Sequence, residues 1–397
     1  MAKVSKVQQK PTKKWKPLPL TTVEFQKMAS RFLHMNSQQA MKIAEDLYNK
    51  GFISYPRTET DRFDRGMNLR ALVEKQIQDH RWGQFAQDLV NGGFHQPREG
   101  RNDDKAHPPI HPVTYCAPGG FANDEERRVY EFITRRFLAC CSEDALGTAR
   151  DVEIQYGDET FHAHGVVVES RNYLDVYPYE NWTGNILPNF TLGERFEPMQ
   201  AMMTEGKTVA PGFLTEPDLI ALMDANGIGT DATMAEHIAK IKERKYVETR
   251  PRGIRGAADA DDNDAPNSGR SRGGRRGRGG RSARGGRGGN GAAVAPNGRA
   301  GVEEFIPTTL GVALVRGYDE IGLETSLGKP FLRKQMELSM KEICEGRKTR
   351  NDVVRESLRQ YKQMFDLTEE RIGVLKAVSL ILLDTPTVTE FLKYGSG

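Results

Sequence analysis

Residues 250–301 limit what this chain can fold into more than any other stretch. Between positions 269 and 289 every residue is glycine, serine, alanine or one of eight arginines, with no acid. A stretch without apolar residues cannot bury enough surface to offset the entropy of ordering it. Residues 251–301 therefore read as a disordered insert that leaves two foldable parts on either side. A short acidic patch (Asp259, Asp261, Asp262, Asp264) precedes the arginines. Arg275, Arg276, Arg278 and Arg281 suit the phosphate backbone of single-stranded DNA or of RNA, with steep salt dependence and little sequence preference. A solvated linker with incidental charge is the other reading. The net charge is only +3. Without the tract the chain is acidic, so any positive surface on the folded body is a local patch.

A chain of 397 residues holds two or three domains. The four cysteines, Cys116, Cys140, Cys141 and Cys344, form no C-x-x-C pair, which argues against a zinc ribbon. Cys140 and Cys141 sit in an apolar helical run and read as core thiols of a reducing compartment. The lysines at the N-terminus are not followed by an apolar stretch, and the apolar run near 374–383 is too short to cross a bilayer. The chain reads as soluble and intracellular.

Periodicity outlines the elements. Residues 1–16 are polar and lysine-rich, either frayed or a strand awaiting a partner. Thr21-Thr22-Val23-Glu24 has the form of a capping box, with Phe25, Met28, Phe32 and Leu33 behind it at helical spacing. A second helix from Ser37 carries Met41, Ala44, Leu47 and Tyr48 on one face and stops at Gly51. Residues 52–55 follow as a short strand. Two helices and a strand resemble a small helix-turn-helix or winged-helix unit, or equally a helical hairpin. Residues 64–106 read as helical and then as loop from Gly92, and a capped helix runs from Asn123 to about Cys141. Alternation marks antiparallel strands over 151–156, 160–169 and 194–203. Helices return at Thr215, after Thr230, over 331–346 and over 351–365.

The densest chemistry lies in Gly51-Phe52-Ile53-Ser54-Tyr55-Pro56-Arg57-Thr58-Glu59-Thr60. The residue before a proline is pushed toward extended geometry, and in extended backbone positions i and i+2 point the same way. Tyr55 and Arg57 can then share one site. A free tyrosine, with a pKa of about 10, is a weak nucleophile, and a fixed cation favours its phenolate while stabilising charge on a phosphoryl group. Arginine binds phosphate bidentately and stays charged. A tyrosine capping a core beside an ordinary surface arginine fits the same tripeptide.

The whole decapeptide resembles the active-site segment of type IA DNA topoisomerases, the eukaryotic topoisomerase III branch in particular. Three further blocks resemble that family in the same order: Pro17-Leu18-Pro19-Leu20-Thr21-Thr22, His107-Pro108-Pro109-Ile110-His111-Pro112 and Asn226-Gly227-Ile228-Gly229-Thr230. The likeness covers 17–250 closely and 302–365 more loosely. It implies a multidomain α+β fold, mostly helical, in which a winged-helix (CAP-like) catalytic domain, an antiparallel β segment and a helical DNA-binding domain form an incomplete toroid. The corresponding plan is a partial strand segment or linker (1–20), the catalytic helical domain (21–120), a helix plus antiparallel β gate domain (121–213), a helical DNA-binding domain (214–250 with 302–366), the insert (251–301) and a C-terminal tail (367–397).

The resemblance gives Tyr55 the covalent link to a 5′-phosphate of single-stranded DNA, Arg57 the phosphate, and His107 a contact to the same phosphate. Histidine can donate to a phosphate oxygen and titrates near neutrality, though a loop histidine bonded to backbone is the other reading. Pro108 and Pro109 forbid the helix that would make His107 and His111 a metal pair. Thr58 is carried over as a DNA contact. Gly227, Gly229 and Thr230 join two helices, either as a phosphate seat at the second helix's amides or as a packing corner. Gly206-Lys207-Thr208 ends like a P-loop, but position 201 is alanine, so no ATP site is read.

The family also implies Mg²⁺, held in a separate acidic (TOPRIM) domain by an Asp-x-Asp-x-Glu cluster. Asp259-Ala260-Asp261 is the nearest string and lacks both the glutamate and a strand, so no metal ligand is assigned. The chain reads as starting partway into the second domain of the family plan. The implied surroundings are the nucleus, DNA repair and recombination, a RecQ-type helicase and an OB-fold cofactor protein. A non-enzymatic single-strand-binding fragment and a regulatory fragment that competes for those partners are the alternatives.

Overall fold

In the computed structural model the described residues are 1–252 without 186, 207 and 209, then 302–322 and 327–383. The insert, with Arg275, Arg276, Arg278 and Arg281, lies outside them.

The lysine-rich N-terminal segment is a strand, β1 (Ala2–Lys14), and its partner comes from far along the chain. β2 (Ala145–Tyr156) and β3 (Glu159–Ser170) form an antiparallel hairpin, and β1 adds to β2 antiparallel with a bulge between Val4 and Lys6. β4 (Arg195–Phe196) closes the order β3-β2-β1-β4. The strand expected over 194–203 is thus two residues long. Pro198 has no N–H for a ladder, and Met199 and Met203 beyond it are fully exposed.

The helices expected around the decapeptide are present. α1 (Thr22–Met28) runs into a π turn (Ala29–Leu33), and α2 (Ser37–Asn49) follows. Thr21 caps α1 through the Glu24 amide, whereas the Glu24 carboxylate is held by Lys27 rather than closing a box. Residues 64–106 hold only two short helices, α3 (Leu69–Glu74) and α4 (Gly83–Asp88). The break between them is a polar turn in which buried Asp79 receives Arg81. α5 (Asp124–Cys140), capped by Asn123, is the spine of this part. Its Val129, Phe132, Ile133 and Phe137 share one core with Phe25, Leu47, Ile53 and Trp82. Burial pushes the Cys140 thiol up to about 11, as expected of a core cysteine. Arg136 on the same helix is buried, donating to the Leu18 carbonyl (3.0 Å) and the Tyr177 hydroxyl (2.9 Å). That ties the chain entering α1 to the spine.

Residues 21–120 contain no strand ladder. The strand expected over 52–55 is a single bridge, Ile53 to Pro112, because Pro56 offers no N–H to continue it.

A second part begins with α6 (Glu216–Ala225) and α7 (Met234–Glu243). β5 (Val247–Pro251) pairs antiparallel with β6 (Glu303–Pro307), so the two flanks of the insert meet in one hairpin. Neither strand is legible from alternation, each being five residues long. α8 (Thr309–Ile321), α9 (Phe331–Cys344), α10 (Arg350–Glu370) and α11 (Ile372–Leu383) complete it. α8 was not expected, although Thr308 caps it and Gly322 ends it at φ +71°. Among the described residues no helix is long and apolar enough to cross a membrane. A small core of Ile220, Met223, Met234, Ile238 and Phe305 supports this part. It joins the first where the Ser37 amide donates to buried Glu216 at 2.6 Å.

Candidate active site

Three of the four motif blocks are bonded to one another, and this fixes Tyr55. α2 ends with Gly51 at φ +77°, whose amide donates to the Tyr48 carbonyl while that of Phe52 donates to Leu47. These are the paired bonds of a Schellman cap. They turn the chain so that Ser54 donates its amide to His111 O and its hydroxyl to Pro109 O, while Val113 donates to Phe52 O. The Leu20 carbonyl accepts from Ile110. Buried Thr22 then clasps the turn after Tyr55. Its hydroxyl donates to Pro56 O (2.7 Å) and accepts from the Thr58 amide (2.8 Å).

Tyr55 is half-buried at this junction. Its ring packs edge-on to Tyr48 (centroids 5.2 Å) and tilted on His107 (4.7 Å). His107 is held by Asp104, whose Oδ1 accepts from the amides of Ala106 and His107 at 2.8 Å each and whose Oδ2 lies 3.6 Å from Nδ1 of the ring. Burial raises the Asp104 carboxyl, but hydrogen bonds from those amides and from the Thr60 and Thr58 hydroxyls outweigh it and bring it down to about 2. His107 opens onto a cleft of about 630 Å³ in which Arg62, Arg65 and Lys105 face Asp64, Glu99 and Asp103. The structure thus brings the rings of Tyr55 and His107 together.

Arg57 is on the same turn, but its described partners are elsewhere. Nε donates to Glu45 Oε1 of α2 (2.8 Å), Nη2 lies 2.6 Å from the same oxygen, and Nη1 donates to the Ala232 carbonyl (2.8 Å). Thr58 departs from expectation as a DNA contact. It is fully buried, and its hydroxyl bonds Asp104 Oδ2 and His107 O. It sits behind the site and holds the His107 loop. His111 is buried too, with Nδ1 on the Pro109 carbonyl, and burial holds its pKa below the usual imidazole value.

The Gly227–Thr230 block lies beside Arg57 through Ala232. Gly227 (φ +63°) ends α6 with a second Schellman pair, Gly227 to Asp224 and Ile228 to Met223, and Gly229 follows at φ +81°. The free amides expected at Thr230 are not there. α7 starts at Met234, the Thr230 amide donates to Thr233 Oγ1, and the amides of Ala232, Thr233 and Met234 all donate to Thr230. Sequence reasoning missed Lys334, which lies against Gly227, and Lys341, which faces Glu59, a carboxyl that burial and Asp231 hold above the usual carboxylate range despite that lysine. Their spacing of seven on α9 was the available signal.

A family model described as DNA topoisomerase matches residues 1–256. The chain belongs to the DNA topoisomerase family. Within it the chain falls with the type IA enzymes of the topoisomerase III branch, as its motif blocks implied. It is 44% identical over 376 residues to DNA topoisomerase 3 of Schizosaccharomyces pombe, covering 94% of this chain and 53% of that one. It is also 44% identical over 365 residues to human DNA topoisomerase 3-alpha, covering 92% and 31%. The full-length topoisomerase I structure from Thermotoga maritima superposes with a TM-score of 0.65 at 20% identity, over 92% of this chain and 53% of that one. That match speaks for the fold. The chain spans about a third to a half of the length of these topoisomerases.

The Mg²⁺ that the family implies finds no ready seat. Among the described residues no three His, Cys, Asp or Glu side chains are grouped to hold an ion, and the Asp104 carboxylate is taken up by its loop.

Proposed function

We propose that this chain is the strand-cutting core of a type IA DNA topoisomerase and that Tyr55 is its nucleophile. The observation that carries the reading is the junction of three motif blocks, which holds a half-buried tyrosine against His107 on the rim of a charged cleft. The phenol oxygen attacks a backbone phosphorus of single-stranded DNA and loses its proton to solvent. The bond from phosphorus to the 3′ oxygen breaks, and that oxygen takes up a proton. A strand passes, the 3′-hydroxyl attacks the phosphotyrosine, and the phenol is regenerated. Phosphodiester energy is conserved, so no nucleotide is consumed. Arg57 supplies the charge that a transferring phosphoryl group needs and His107 a hydrogen bond to it, while Thr58 and Asp104 position the His107 loop. Lys334 offers a cation to the strand beside Gly227.

The same reading takes 21–120 as the catalytic, winged-helix-like domain, 121–213 as the gate, 214–250 with 302–366 as the DNA-binding domain, and the arginine tract as an auxiliary grip on single strands or RNA. It carries the nuclear setting, the RecQ-type helicase and the OB-fold partner by family likeness.

The test uses end-labelled single-stranded DNA, Mg²⁺ and denaturation. Label stays on the wild-type chain and is lost with Tyr55→Phe. Salt-sensitive binding without any trapped label, identical in both proteins, would instead favour a binding fragment.

A further inference from the structure

We propose that Glu45 is a positioning residue for Arg57, and that together with the Ala232 carbonyl it presents the guanidinium to the DNA phosphate. This rests on Arg57 being the phosphate ligand.

The residues that support it come from three separate elements. Arg57 has five N–H donors in a fixed plane. Glu45, two turns into α2, takes the flank made by Nε and Nη2 through one oxygen, at 2.8 and 2.6 Å. The Ala232 carbonyl, in the turn between α6 and α7, takes Nη1 at 2.8 Å. Nε and Nη1 are thereby engaged and Nη2 is drawn to Glu45, and the remaining N–H groups of the five are left for a ligand. A planar group held at both flanks cannot swing about its long stem, so a phosphate meets a guanidinium already oriented. The Arg57 side chain is about three-quarters buried, which limits the screening of these contacts. One flank belongs to the catalytic part and the other to the second part. The clamp is therefore complete only while the α6–α7 turn is seated, which makes phosphate binding sense the closure of the two parts.

Removing Glu45 also deletes a negative charge, and that alone favours DNA. A double-mutant cycle separates the two effects. The affinity of the full chain for a fluorescent single-stranded oligonucleotide is measured for wild type, Glu45→Gln, Arg57→Ala and the double variant. The charge effect appears in both backgrounds, whereas orientation matters only when Arg57 is present. The expected result is that Glu45→Gln raises Kd about fivefold or more relative to the same change made in Arg57→Ala. A ratio of one or below overturns the proposal, because a merely structural or repulsive Glu45 acts alike in both backgrounds. If Arg57→Ala itself leaves Kd unchanged, the fault lies with Arg57 as the phosphate ligand, and the proposal falls with it. Glu45→Ala serves as the second variant. Its side chain is over a third exposed, so neither change threatens folding.

Discussion

Asp104 and Thr22 never touch a substrate in this account, yet both decide where one would be bound. The Asp104 carboxyl titrates at about 2 against an ordinary 3.8, so it binds its proton less readily folded than unfolded. Its contribution, about 2 kcal/mol, is fully present above about pH 4 and is lost as pH falls through about 2. Asp104→Asn should therefore lower stability at neutral pH and flatten the acid limb of an unfolding titration between pH 4 and 2. An unchanged acid limb would show that the loop is held by other groups. Thr22→Val removes the one hydroxyl that serves both Pro56 O and the Thr58 amide. Leaving that buried amide unpaired should cost about 1–3 kcal/mol in denaturant unfolding. The residues themselves were partly legible. Tyr55 and His107 stood out because their blocks resemble the family's active-site segments, and the structure sets their rings together. Thr58 was taken for a contact because nothing in its neighbours tells a hydroxyl facing DNA from one facing a carboxylate.

Elements follow the same logic one level up. The Schellman turn at Gly51 aims the chain from α2 to Tyr55, and a Cβ there would meet no atom within 4 Å. Gly51→Ala thus tests backbone conformation alone, with an expected loss of about 1–2 kcal/mol for a left-handed alanine. A thermal midpoint equal to wild type would mean that the turn relaxes at no cost. Long amphipathic helices such as α2, α5 and α10 were readable from apolar spacing, and their caps from Asn, Thr and Gly. Short pieces were not. The bridge at Ile53 and the two-residue β4 depend on partners supplied from Pro112 and from β1. β1 itself, rich in lysine, becomes a sheet strand only because β2 returns to it. In each case the deciding bond is nonlocal.

Among the described residues the chain forms two parts with a joint between them, where Val23 of α1 packs on the small core of the second part and two polar fastenings differ in character. At the start of α2 the Ser37 amide is sealed onto buried Glu216, which also faces Lys242 at 3.4 Å. Near its other end the largely buried Arg57 side chain reaches Ala232. Glu216→Ala strands the Ser37 amide and should cost about 1–3 kcal/mol, with the small core around Ile220 and Phe305 unfolding earlier than the core around α5. A single coincident transition by two probes would show that the parts remain one cooperative unit. This joint was invisible in the sequence, since Ser37 and Glu216 lie on opposite sides of the whole β segment. The family was visible, because four short motifs in order outweigh any single pattern. The central claim remains that one phenol oxygen carries the cut strand. Peptide mapping of the denatured adduct by mass spectrometry tests it most directly. A nucleotide attached through its 5′-phosphate to Tyr55, within the peptide that begins at Gly51, is the predicted result. An adduct on any other residue, or covalent label that persists in Tyr55→Phe, would contradict it.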